Sequence, residues 1–212
     1  MADNGWLHHH PLRRLGLVLL ALSAWVTAIG SLTYVLGDPR HFAFPFRLKY
    51  TEHLTLVRWH GVSAALTLLL GPLQWRRSRG YAHRVTGYIY LGSVAIGGFT
   101  GFWLALLAYG GLLSKSGFAL MALLWWTTGW KAFRSARSQD FLAHQIWMIR
   151  NFALAFGAVV LRFYLEVGQR LGFDFYALYP TAVWACWVPC LALAEWRVAR
   201  QSKLEGTPPY GP

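Results

Sequence analysis

The stretch AHQIWMIRNFALAFGAVVLRFYLEV, residues 143–167, decides the fold: it is long and apolar enough to cross a bilayer, yet it carries His144, Arg150, Asn151 and Arg162. A helix needs ~20 apolar residues to span a hydrocarbon core. Ionisable groups inside that core are costly, and they usually face a bundle interior, a cavity or a partner. This segment therefore sets both the class of the protein and the first place to look for its function.

The rest of the chain agrees. Hydrophobic residues make up 56% of the 212 positions and charged residues only 13%, too little polar surface for a soluble domain of this size. Six apolar segments can be marked, at 15–36, 54–73, 85–109, 117–130, 143–167 and 176–196. None alternates with the period of a barrel strand, so the expected fold is an all-α, polytopic transmembrane helical bundle of about six helices. It forms a single domain over residues 1–203, followed by a Gly- and Pro-rich tail, 204–212, expected to be disordered. Segment 15–36 lacks a small-x-small cleavage site and is read as an uncleaved first helix. The loop 37–52, with Phe42, Phe44, Pro45 and Phe46, suits the outer interface.

The formal charge of +12 would suggest nucleic acid if it were not confined to short loops. Arg13, Arg14, Arg76, Arg77, Arg79, Arg84, Lys131, Arg134, Arg137, Arg197, Arg200 and Lys203 share one side once the segments alternate. An excess of Lys and Arg on one face marks the cytoplasmic side, so both termini are expected there. Trp75, Trp130, Trp147 and Trp196 form an aromatic belt near the same interface. His8, His9 and His10 read as a solvated tract. Cys186 and Cys190 read as packing thiols, and Pro189 between them as a kink in the last helix.

Helical geometry shows which polar groups can cooperate. On segment 143–167, His144, Met148, Asn151, Ala155, Ala158 and Arg162 fall along one stripe, whereas Arg150 points elsewhere. In the third segment His83 is followed along its face by Gly87, Tyr90 and Val94, then by Gly97 and Gly101, small residues that admit a neighbouring backbone or a flat ligand. The third and fifth segments run in the same direction, which puts His83 and His144 at one cytoplasmic level. His60 enters from the other side and lies in the opposite leaflet, at a depth comparable with Arg162.

HGVSAALTLLLGPLQWRR (60–77), HRVTGYIYLG (83–92) and HQIWMIRNFALAFGAVVLR (144–162) resemble a large family of predicted bacterial membrane proteins of unknown function. The resemblance implies a polytopic bundle and carries no settled activity. In helix count and helix-borne histidines the chain is also similar to cytochrome b561-type and ferric-reductase-type proteins, which hold b haems between helices. It departs from them in lacking facing histidines at both membrane levels, which argues against electron transfer across the whole bilayer through two haems.

The sharpest expectation is a redox-related site near the cytoplasmic face, with His83 and His144 as axial ligands of one haem b. Such a group needs imidazoles, apolar walls and cations for its propionates. Arg84, Arg79 and Arg150 supply the cations and Gly87 the close approach. A quinone or an anionic lipid headgroup would use His83, His144, His60, Asn151 and the arginines, Arg162 included, as polar contacts, with Trp147 and Tyr90 as aromatic walls. The alternative is a non-catalytic accessory or assembly subunit of a larger membrane complex. In that case Arg162 pairs with Glu166, and Arg150 with carbonyls or Asp140. Eight acidic residues, all near segment ends or in loops, argue against a carboxylate-bridged di-iron centre. No Walker loop, dinucleotide fingerprint, His-Glu-x-x-His or Gly-x-Ser-x-Gly occurs.

Overall fold

The structure, a computed structural model, describes residues 11–41, 46–75 and 80–205. The His8–His10 tract, Phe42, Phe44, Pro45, Arg76, Arg77, Arg79 and the tail from residue 206 lie outside the described residues. The described chain is helical without a strand: α1 (Pro11–Leu36), a short α2 (Phe46–Glu52), α3 (Leu54–Leu70), α4 (Tyr81–Leu106), α5 (Gly111–Arg137), α6 (Phe141–Arg170), α7 (Phe175–Ala185) and α8 (Val188–Glu205).

Neighbours in sequence are neighbours in space: α1 packs on α3, α3 on α4, α4 on α5 and α5 on α6. The last of these also touches α1, α3, α7 and α8, which makes α6 the post around which the bundle closes. The outer surfaces are apolar, as contact with lipid requires. On α1 the side chains of Leu15, Leu19, Leu22 and Val26 are exposed while Ala24 and Ala28 are fully buried, so small residues set a close α1–α3 approach.

Among the described residues, five segments are long and apolar enough to cross a membrane: Arg14–Leu36, Leu54–Trp75, Tyr81–Leu106, Phe141–Arg170 and Phe175–Arg200. The fourth apolar segment, expected at 117–130, is in fact the longer α5 of 27 residues. At ~1.5 Å per residue it is ~40 Å long, enough to cross. Its hydropathy is diluted by residues that the bundle accommodates: Thr128, for example, donates to Leu124 O at 2.7 Å. At its end, Lys131, Arg134 and Arg137 carry the helix beyond the apolar stretch.

One further expectation is corrected. The loop 37–52 contains the short helix α2, whose Phe46 packs against Tyr50, Phe175 and Tyr179 at 5.2, 5.2 and 5.7 Å between ring centres. The last segment is interrupted at the expected proline, with α7 ending at Ala185, four residues before Pro189. Proline supplies no N–H and its ring meets the carbonyl four residues back, so the break falls where the ring forbids continuation. Cys186 and Cys190 are both free thiols at this break.

The Gly97–Gly101 face is filled from inside the bundle. A Cβ at Gly97 would meet the Trp125 ring at 2.8 Å and Ser63 Oγ at 3.0 Å, whereas one at Gly92 would meet nothing within 4 Å. Gly97→Val should therefore destabilise the fold by ~1–3 kcal/mol. Gly92→Ala should be neutral or gain up to ~1 kcal/mol. Thermal unfolding of the two variants in detergent checks the contrast, and equal melting temperatures would contradict this packing.

Candidate functional site

At the bundle centre, α6 presents Asn151, fully buried, to α4 and α5. Its Nδ2 donates to Trp125 O at 2.8 Å and to Thr128 Oγ1 at 2.9 Å, and its Oδ1 accepts from the Tyr90 hydroxyl at 2.8 Å. A Cβ at Gly129 would lie 3.3 Å from Nδ2, so the glycine clears room for the amide. Asn151 and Tyr90, both expected to face a ligand, instead clamp three helices together. Their polar atoms are engaged in the fold.

Arg150, expected to meet a ligand or Asp140, is likewise engaged. It is buried, and its Nε and Nη2 donate to Glu195 Oε1 and Oε2 of α8 at 2.6 and 2.8 Å. Its guanidinium also lies 4.5 Å from the Trp147 ring centre, with Lys131 Nζ 4.3 Å from the same ring. Trp147 is therefore occupied by cations rather than forming a cofactor wall. Asp140 caps α6, accepting from Ala143 N at 2.9 Å.

His83 and His144 do come together. Both line one cavity of about 410 Å³ between the start of α4, the end of α5 and the start of α6. His144 Nδ1 lies 2.8 Å from Ala132 O. A carbonyl only accepts, so Nδ1 carries the proton and the neutral ring keeps a lone pair on Nε2. The His83 ring makes no hydrogen bond with any described residue, and the two imidazoles are close enough to interact electrostatically. Gly87 lines the same wall, and a Cβ there would meet only Gln74 Oε1, at 3.6 Å. Arg84 and Arg137 stand at the rim without an ion pair among the described residues, and Leu91, Phe133 and Met148 supply apolar surface.

His60 and Arg162 lie toward the opposite end. His60 Nδ1 bonds to Gly97 O at 3.1 Å, and its ring packs where a Cβ on Gly101 would be. Arg162 does not pair with Glu166, which is held by Arg170 at 2.6 Å; its Nη1 donates to Ala158 O of its own helix at 3.1 Å.

Sequence reasoning missed three participants. Glu195 read as a segment-end acid, because its pairing with Arg150 depends on where α8 begins after the break. Arg137 read only as a topology charge. Gln74 lies in the 3-10 turn Pro72–Trp75, and its amide donates to the Thr86 hydroxyl, so Pro72 was the only signal that the chain turns back onto α4 there.

Fold and cavity define a polytopic α-helical membrane protein with a histidine-lined pocket at the basic end of its bundle. The chain belongs to DUF2306, a family of predicted membrane proteins, which it matches over residues 57–198, two thirds of its length. The matched region contains the cavity, the Asn151 clamp and the His60–Arg162 region. No curated protein and no solved structure matches the chain, and a similarity to cytochrome b561-type bundles is not shown.

The Arg150–Glu195 pair predicts an asymmetry. The Arg150 side chain is 5% exposed and that of Glu195 40% exposed. Glu195→Gln removes the counter-charge of a buried cation, whereas Arg150→Gln leaves a carboxylate that already reaches its surroundings. The first should cost more, on the order of 2–4 kcal/mol once solvent access is discounted. Chemical or thermal unfolding of both variants measures the order, and the reverse order would contradict it. For the clamp, a Tyr90→Phe and Asn151→Leu double-mutant cycle should show a coupling of ~0.5–3 kcal/mol.

Proposed function

We propose that the protein binds haem b in the cavity between α4 and α6, where His83 and His144 would hold its iron, and serves as an electron-transfer component of a bacterial cytoplasmic membrane. The observation that carries this reading is the Nδ1 bond of His144 to Ala132 O at 2.8 Å. A metal-ligating imidazole characteristically donates its other ring nitrogen to a carbonyl or carboxylate, which fixes the tautomer and raises the basicity of the ligating atom. The lone pair left on Nε2 suits a metal and does not suit a phosphate, which needs a donor. His83, on the other helix of the same cavity, supplies the second imidazole. Arg84 and Arg137 supply charge for propionates at the rim, and Gly87 allows a flat ring close approach. When bound, the haem would carry one electron at a time. The polypeptide would orient its ligands and keep its macrocycle in apolar surroundings.

A quinone is the second reading. Gln74 and Arg84 on the cavity wall favour it, because an amide and a guanidinium can donate to quinone carbonyl oxygens.

The test is the absorption spectrum of detergent-purified protein, oxidised and then reduced with dithionite. The expected result is a Soret band that shifts on reduction and is lost or strongly reduced in His83→Ala and in His144→Ala, with both variants folded. A colourless preparation that yields a quinone on organic extraction favours the second reading. A colourless, quinone-free and fully folded preparation contradicts both and leaves the role of a subunit of a larger complex, which stoichiometric co-purifying membrane chains would support.

A further inference from the structure

Arg162 is a charge that the described bundle does not balance. It sits on α6 eight residues before the helix end at Arg170, ~12 Å inward along the axis. Of its five N–H donors, only Nη1 has a partner among the described residues, Ala158 O at 3.1 Å. The acid one turn away, Glu166, is bound by Arg170, and Glu195 is bound by Arg150 toward the other end of the bundle. Tyr34 of α1, Tyr50 of α2 and His60 of α3 lie within electrostatic reach of the guanidinium. These groups offer dipoles and no negative charge. Burial pushes the Tyr50 hydroxyl up to about 12, which keeps it a neutral O–H. The His60 ring donates through Nδ1 to Gly97 O at 3.1 Å.

A cation inside a span costs several kcal/mol unless an anion or the interface compensates it. A neutral carbonyl ligand would leave the charge uncompensated. The fork of the guanidinium, by contrast, matches two oxygens of one phosphate. Arg162 is exposed on the flank of the bundle, where an amphiphile can approach from the bilayer. We propose that Arg162, with Tyr34, Tyr50 and His60 within its electrostatic reach, is the anchor of a second ligand site, at the end opposite the histidine cavity, for the phosphate of an anionic amphiphile. This site is independent of the haem or quinone reading.

Two measurements on the full-length protein in detergent test it: native mass spectrometry of retained lipid, and the thermal shift on titration with phosphatidylglycerol. A parallel arm uses inorganic phosphate. The expected result is that the wild type retains one phosphatidylglycerol more than Arg162→Gln, and that the shift is lost in Arg162→Gln but kept in Arg170→Gln. An Arg162-dependent shift with inorganic phosphate as large as that with the lipid would support the anion site and identify a soluble source. If Arg162→Gln does not fold, Arg162→Lys and Tyr50→Phe carry the test. The lysine keeps the charge without the fork and should bind ~10-fold more weakly, and Tyr50→Phe should also bind more weakly. Lipid retention and thermal shift unchanged in Arg162→Gln, or in both Arg162→Lys and Tyr50→Phe, would overturn the proposal. Absorption at the histidine cavity should not change in any of these variants.

Discussion

In a bilayer no water completes a hydrogen bond, so a polar group of a spanning helix is strongly favoured to find its partner within the protein or from a ligand. This constraint sorts the polar residues of the bundle into two groups. Tyr90, Asn151 and Thr128 satisfy one another across α4, α5 and α6, and Arg150 with Glu195 ties α6 to α8. Those residues hold the helices in register. His83, the free edge of His144, Arg84 and Arg162 lack complete partners among the described residues, and the two proposed ligand sites are built on them.

The two groups depend on each other. The clamp at Asn151 fixes α6 against α4 one turn and more above the cavity, so the separation of His83 and His144 is set by interactions that neither histidine makes. Ala132, on α5, fixes the rotation of the His144 ring. A site built on three helices, each held by its own hydrogen bonds, is rigid in the way a ligand-binding constellation requires. Large apolar side chains face outward and contribute contact with lipid rather than specificity.

Much of this arrangement could be read from the residue order. Apolar lengths predicted the spans, and counting rise per residue along parallel helices put His83 and His144 at one level and His60 at another, because helix geometry is local. Partner choice was not local. Arg150 and Glu195 are 45 residues apart, and their meeting depends on the break that Pro189 imposes. The stripe containing Asn151 was visible, but whether an amide on that stripe faces a ligand or a tyrosine depends on the rotation of α4. Helix α5 extends beyond its apolar part because hydropathy marks the hydrocarbon depth rather than the helix end. The glycines at 97 and 101 signalled close approach correctly without saying that Trp125 and His60 would fill the space.

The most direct test of the account fills the cavity without disturbing the fold. At Gly87 an added Cβ has no neighbour closer than 3.6 Å, so Gly87→Leu should project into the cavity and leave the helix packing intact. Ligand content per folded protein, measured from the absorption spectrum and from organic extracts, should fall sharply while the melting temperature of ligand-free protein is unchanged. A Gly87→Leu protein that keeps its full complement of ligand would show that the space between His83 and His144 is not the binding site.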